Sequence, residues 1–477
     1  MNQEDAQDNL VELSRNRWIF NALIGLYVVA PLPLGSNRPW AWGSLAGYTC
    51  LLLAAWLFAW MRGSMPLSPA LRERPAKVAV GLLVLVVAWI FCQTLPLSPT
   101  WVKSLSPHTF ELYQVARDAV PAVKESMPLS LDSDATFAAG IRSLFLTAMF
   151  LLLVQCLDCR RRLKVFCFAI VVSGFFQAVY GSFTALSGIA YPFVGQGVAT
   201  GTFVNRNHLA GYLEMALAMG MALLLMGSRH GGMQGGLRGM LKILLSKKAL
   251  VRLMVIMMVA GLILTRSRMG NTAFFSSLLV TGSLAISISK YFRTRAFFLL
   301  LISVILVDIL MLGQWFGLEN VAERLRQTSM VSEHRDEVDI YVVPLAKDFW
   351  LTGAGAATFM HVFPAYAQED LGVLYDHAHN DYLELYAELG IIGFVPLATF
   401  VVLGFCQSLC ALQCEHRSHV RAIGFGGCMG IISLSIHSAV DFNLQIPANA
   451  MLFMAVIAIV YVAQCAHDNT VRGSEKS

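Results

Sequence analysis

The sequence predicts an all-α, polytopic integral membrane protein with about twelve transmembrane helices and a large outward loop layer. Three observations carry that expectation. Of the 477 residues, 56% are hydrophobic and only 14% charged, where a soluble chain carries roughly a quarter. The mean hydropathy is +0.61. Apolar runs of about 20 residues, the length that crosses a bilayer as a helix, recur along the whole chain.

The first run, 18–34, follows a polar segment holding Arg15 and Arg17. No small-residue cleavage site follows it, so it reads as a retained span and not a signal peptide. Further runs cover 40–61, 78–95, 137–157, 165–187 and 209–227, then 251–265, 271–289 and 296–314. The last three are 382–410, 423–440 and 446–465.

Lysine and arginine set the orientation. Basic residues gather at Arg15 and Arg17, Arg72 to Lys77, Arg160 to Lys164, Arg229 to Arg252, Lys290 to Arg295 and Arg417 to Arg421. These are the N-terminal flank and every second connection, as the positive-inside rule requires of cytoplasmic segments. Twelve spans then place both termini in the cytoplasm. The outward segments are 96–136, 188–208, 265–271, 315–381 and 441–446. The 315–381 segment is long enough for a small helical layer, and long loops of that kind tend to be functional. The basic, Gly-rich 229–250 connection reads as a cytoplasmic loop near anionic headgroups.

The ten cysteines lie in or beside apolar runs and indicate no disulfide framework. The single CxxC, Cys156 and Cys159, reads as incidental. No internal repeat is evident.

Four outward clusters break the apolar pattern. Arg266 and Arg268 end a span on the side poor in basic residues. Two arginines there can simply snorkel. They can also form a site for an anionic headgroup, since guanidinium binds phosphate oxygens in a fork. Asn205, Arg206, Asn207 and His208 bring hydrogen-bonding groups to the start of another span, with asparagine also a common helix cap. Arg335 stands among Glu333, Asp336 and Glu337. The densest cluster is Asp376, His377, His379, Asn380, Asp381 and Glu384. Asp381 and Glu384 have capping-box spacing, so a helix should begin near Asp381. Its positive end favours anions and a neutral imidazole at His377 and His379. A neutral histidine can accept a proton from a hydroxyl. Gly390 and Gly393 would let a neighbouring helix approach closely. The competing reading of His377 and His379 with Asp376 and Asp381 is a metal site.

These segments resemble the O-antigen ligase and Wzy-type polymerase superfamily. His379 and Asn380, followed by nine residues, Gly390, two residues and Gly393, match the ligase signature in full. The Gly201–Ala210 stretch is similar to the family's earlier outward loop, and Leu264–Arg268 to its Leu-Thr-x-Ser-Arg stretch. Arg335 with Pro344, Trp350 and Gly353–Gly355 looks like its Arg…Pro-x-x-Gly-x-Gly stretch. The likeness covers about 200–400, and 96–136 carries no signature.

The resemblance implies a GT-C-like membrane glycosyltransferase in the bacterial inner membrane, working at the periplasmic face without metal, cofactor or nucleotide. It divides the chain into N-terminal helices (1–200), a ligase-related region (201–465) and a cytoplasmic tail (466–477). The implied donor is an undecaprenyl diphosphate-linked glycan. The acceptor is lipid A–core in a ligase, or a second lipid-linked glycan in a polymerase of O-antigen or exopolysaccharide. His379 would be the general base, with Arg268 and Arg335 on the diphosphate and Arg206 or Arg266 assisting. Asn205, Asn207, His208, Asp376, His377 and Asn380 would bind or orient substrate. Protein O-glycosylation, lipid-linked transport and a scaffold role are the alternatives. A carrier would place ionisable residues in mid-span, whereas the polar groups here gather at outward ends.

Overall fold

A computed structural model describes residues 17–119, 127–187, 197–226, 247–295, 297–299, 301–303, 335–367 and 375–465, excepting the side chains of Lys247 and of residues 335–338. Helices longer than one turn are numbered in chain order: α1 (Arg17–Val29), α2 (Pro39–Met61), α3 (Arg74–Gln93), α4 (Pro99–Leu105), α5 (Pro107–Ala119), α6 (Ser133–Cys156) and α7 (Arg160–Leu186). Then come α8 (Arg206–Leu225), α9 (Lys247–Leu264), α10 (Arg268–Ile288), α11 (Arg335–Asp348), α12 (Asp381–Leu412), α13 (Ser418–His437) and α14 (Pro447–Cys465).

Among the described residues, nine helices are long and apolar enough to cross a membrane: α2, α3, α6, α7, α8, α10, α12, α13 and α14. The chain is an all-α polytopic membrane protein. Of the other three runs read from the sequence, 18–34 is the shorter helix α1. The run 251–265 is the 18-residue helix α9, which starts four residues earlier and so also takes in Lys247 and Lys248. The run 296–314 falls largely outside the described residues.

Burial separates the spans into a centre and a flank. In α8 and α14 the most apolar stretch is 89% buried, against 28% in α2, α3 and α12. Glycines let some of these helices pack closely. Gly424 and Gly427 of α13 leave no space for a side chain against Ser408 and Ala411 of α12 and Val460 of α14. Close backbone approach of this kind is how helices associate where no water drives them together.

The helix carrying the signature glycines is broken. Gly390 sits inside α12 at φ 60°, ψ −178°, a conformation open essentially to glycine alone. The backbone groups freed there are taken up by the 350–355 loop. Ala354 and Gly355 donate to the carbonyls of Ala387 and Glu388 at 2.9 and 3.1 Å, and Ile391 donates to Trp350 O at 2.8 Å. Gln93, at the end of α3, donates to Thr352 O and Glu388 O at 2.8 and 2.9 Å. Gly353, at φ 75°, packs so closely on Glu388 and Gly390 that no Cβ fits. The sequence reading of Gly390 as a helix-packing glycine is therefore corrected: it breaks the helix so that the loop can dock. Gly393 does meet a neighbouring helix, since a Cβ there would lie 2.5 Å from the Trp89 ring of α3.

Gly390→Ala is expected to destabilise the protein by about 1–3 kcal/mol from the backbone conformation alone, with the clash against the 350–355 loop added. A lowered melting temperature in detergent would register it; an unchanged one would contradict this account of the break.

The 96–136 segment, unassigned from the sequence, supports the same loop. Leu131 donates to Ala354 O at 2.9 Å, and Thr136 Oγ1 donates to Ala356 O at 2.9 Å. His361 and Asp132 approach to 2.8 Å.

Candidate active site

Four connections meet at one end of the bundle. The first runs from α9 to α10. Thr265 Oγ1 donates to Leu262 O and accepts from Ser267 N, at 2.6 and 3.1 Å. Ser267 Oγ caps α10 by accepting from Gly270 N at 3.2 Å. The two hydroxyls satisfy the turn, and Arg266 (φ 52°) and Arg268 are left exposed. The second connection is joined to the first through Ala199 N, which donates to Leu264 O at 2.9 Å. Asn205 caps α8, its side chain accepting from Asn207 N at 2.9 Å. Arg206 is exposed, whereas Asn207 and His208 are buried. α10 and α8 touch directly, because a Cβ on Gly270 would lie 2.5 Å from the Ala210 methyl.

The third connection is 438–446. Asn443 closes on Gly211 of α8, and Asn449 Nδ2 donates to His208 O and to Asn443 Oδ1, both at 2.9 Å. The fourth is the turn before α12. Asp381 N donates to Ser438 O at 2.9 Å, and Leu444 N donates to Asp381 Oδ2 at 3.1 Å.

Phe442 is the hub. His377 stacks on its ring at 4.3 Å, His208 meets it edge-on at 4.7 Å, and His379 does so at 4.9 Å. Asp441, beside it, faces two of the three. Its Oδ1 lies 3.6 Å from His208 Nε2 and 4.0 Å from His379 Nδ1. Burial pushes the Asp441 carboxyl up, but His208, His437 and the Phe442 N–H hold it below the ordinary carboxylate range. It is therefore a standing anion beside the histidines.

Two expectations are corrected here. The cap of α12 is Asn380, whose Oδ1 accepts from Tyr382 N and Leu383 N at 3.1 and 3.3 Å. Asp381 is the first helical residue, and Glu384 turns back past the cap to Ala378 N and His377 Nδ1, both at 2.7 Å. His377, moreover, is not held neutral by the helix end. Burial disfavours its charged form, but the Glu384 carboxylate outweighs that, aided by Asp376 and Glu388, and raises its pKa above 6.5.

The stability the His377–Glu384 pair contributes is thus full below about pH 6.5 and fades as pH rises through the higher folded-state pKa. Melting temperatures of wild type and His377→Asn across pH 6 to 9 should converge toward the alkaline end; a constant gap would contradict the pairing.

His379 has φ 54°, strain of the kind that persists only where surroundings fix it. Its side chain is 19% exposed. Asp376 is exposed, and Asp376, His377, His379 and Asp381 do not converge as a metal reading would need. Among the described residues, no group of three or more His, Cys, Asp or Glu could hold a metal ion. Arg335 opens α11, and its side chain lies outside the described residues. Four residues on, hence on the same helix face, Asp339 accepts from Asn380 Nδ2 at 3.4 Å.

Asp441 and Phe442 were missed by the sequence reading. Their only sequence signal is an acid and an aromatic in a short outward loop. Below them, Glu214 of α8 joins His437 Nδ1 and Ser433 Oγ of α13 at 2.8 and 2.7 Å, which ties together the two helices beneath the site.

Fold and cluster together define a polytopic membrane protein with a cationic, histidine-bearing site at one end of its helices. Residues 253–398 match the family model described as O-antigen ligase, so over this region the chain is O-antigen ligase-related. The match takes in Arg266, Arg268, Arg335 and His379; Asn205–His208 and Asp441 lie outside it. No curated protein matches the chain.

Proposed function

We propose that the protein is a membrane glycosyltransferase of the O-antigen ligase type, moving a glycan from an undecaprenyl diphosphate carrier to a sugar hydroxyl. The observation that carries this is the convergence of His379 and the exposed Arg206, Arg266 and Arg268 on one end of the bundle.

In the proposed step, the acceptor oxygen attacks the anomeric carbon and its proton passes to His379. The bond from that carbon to the carrier phosphate breaks, and the electron pair leaves with the diphosphate. Attack and departure on opposite faces invert the anomeric configuration. Asp441 stabilises His379 as it becomes positive. The arginines stand ahead of the reaction where charge grows on the leaving group, which is the efficient way to stabilise it. None of the three makes an ion pair among the described residues, so their forks are open to phosphate oxygens. The site lies at the periplasmic face of the inner membrane, with both termini in the cytoplasm.

The full ligase signature favours lipid A–core as acceptor. A second reading, polymerisation of carrier-linked repeats, is favoured by an apolar cavity of about 400 Å³ beside Val86, Leu146 and Leu397, which offers room for a second lipid tail. Purified protein with undecaprenyl diphosphate-linked glycan and EDTA separates them. Product that forms only with lipid A–core is expected of a ligase; a ladder of lengthened carrier-linked glycan without it overturns that acceptor.

A further inference from the structure

Glu214 and His437 are wholly buried, and the proposed reaction uses neither. Glu214 lies eight residues past Arg206 in α8, so about 12 Å below the outward end of the helix. An ionisable group at that depth is costly and marks function by default. Its Oε1 lies 2.8 Å from His437 Nδ1, and its Oε2 accepts from Ser433 Oγ at 2.7 Å. It also reaches α10, since a Cβ on Gly270 would stand 3.2 Å from Glu214 Oε1. One carboxyl group thus meets three helices beneath their outward ends. α8 begins at Arg206, α10 begins at Arg268, and α13 runs from His437 into the loop that holds Asp441. The His379 turn goes with α13, because Asp381 N donates to Ser438 O at 2.9 Å.

Deeper in the bundle, α8 and α13 meet through small groups. A Cβ on Gly426 would lie 2.8 Å from both Ala218 O and the Ala222 methyl, and one on Gly430 would lie 3.5 Å from the Ala218 methyl. Such a surface lets backbones close up, but small groups alone set no register. Directed hydrogen bonds do. Ser433 and His437 stand one turn apart on the same face of α13, and both close on Glu214. The arginine-bearing side has joints of its own. Gly270 packs on Ala210, and Ala199 N donates to Leu264 O; neither contact involves α13.

We propose that Glu214 and His437 are positioning residues whose pairing fixes the register of α8 on α13. That register sets the reach from the arginines of the leaving-group side to Asp441 and His379 on the other. The pair specifies an alignment and is not a source of stability. A buried ionisable pair is often no more stabilising than apolar side chains of like volume, and its best attested use is to select one register. What is being aligned rests on the glycan-transfer reading; the register itself does not.

The test is the double variant Glu214→Met, His437→Leu of the full-length purified protein. Its melting temperature is expected to equal or exceed that of wild type. Its donor affinity should stay within about threefold, while its rate at saturating donor falls about 10²-fold, the cost of an offset near 1 Å. Glu214→Gln keeps an acceptor for His437 and a donor for Ser433, and should recover most of that rate. Spin labels on unnatural amino acids replacing Val204 and Ala439, both exposed, read the register without turnover. Thiol labels are unsuitable because Cys50, Cys92, Cys406 and Cys410 are exposed. One narrow distance is expected in wild type and Glu214→Gln, and a shifted or broadened one in the double variant. A wild-type distance in the double variant, or a shifted distance with an unchanged rate, would overturn the proposal. So would a lowered melting temperature of the double variant, which would make the pair a structural support, or a Glu214→Gln as slow as the double, which would make charge the operative property. Absence of product from wild type would count against the glycan-transfer reading alone, and the label distances would still decide the register.

Discussion

His379→Ala is expected to remove glycan transfer while the protein still inserts and folds. Loss of a positioned general base costs about 10²–10⁴-fold in rate, and for a slow membrane transfer that falls below detection. The fold should survive because the cap of α12 is made by Asn380 and the docking of Asp381 by Leu444 N, neither of which uses the imidazole. Alanine keeps the Cβ of histidine, so the positive φ at this position is not relieved by the change. The check is product formation by detergent-purified variant and wild type at matched monodispersity. Wild-type turnover in the variant would end the general-base role.

Arg268→Ala should give the second largest loss, about 10²–10³-fold, the scale seen when one preorganised group is removed from a developing negative charge. Arg268→Lys should recover part of it, since an ammonium keeps the charge but not the fork. Stability should change little: the side chain is exposed, and the turn that positions it is held by Thr265 and Ser267. Rates at saturating donor, compared with donor binding, check this. An unchanged rate for Arg268→Ala would remove it from the leaving-group site.

The spans were legible because lipid imposes a length and an apolar composition on every helix it surrounds. The start of α12 was legible for a related reason, since a helix end must satisfy its free N–H groups with side chains. The cap was displaced by one residue because Asn380 and Asp381 are both good caps, and only the neighbouring 438–446 loop, which takes up Asp381, decides between them. Gly390 was misread because close packing and a helix break demand the same residue; the deciding partner, Gly353, is 37 positions earlier in the chain. Asp441, Phe442 and the Glu214–His437 pair left no pattern along the chain. Each acquires its role from residues that only the fold brings near, as Phe442 does from histidines on two other segments.

The central claim is a single displacement on a carrier-linked glycan, with His379 taking the acceptor proton and the diphosphate leaving over the arginines. The anomeric configuration of the new linkage tests it most directly. NMR of the product, made by purified protein from a donor of defined configuration, should show the opposite configuration at the transferred carbon, with undecaprenyl diphosphate released in equal amount. Retention of the donor's configuration would mean two successive displacements or attack from the leaving group's own face, and would contradict the account.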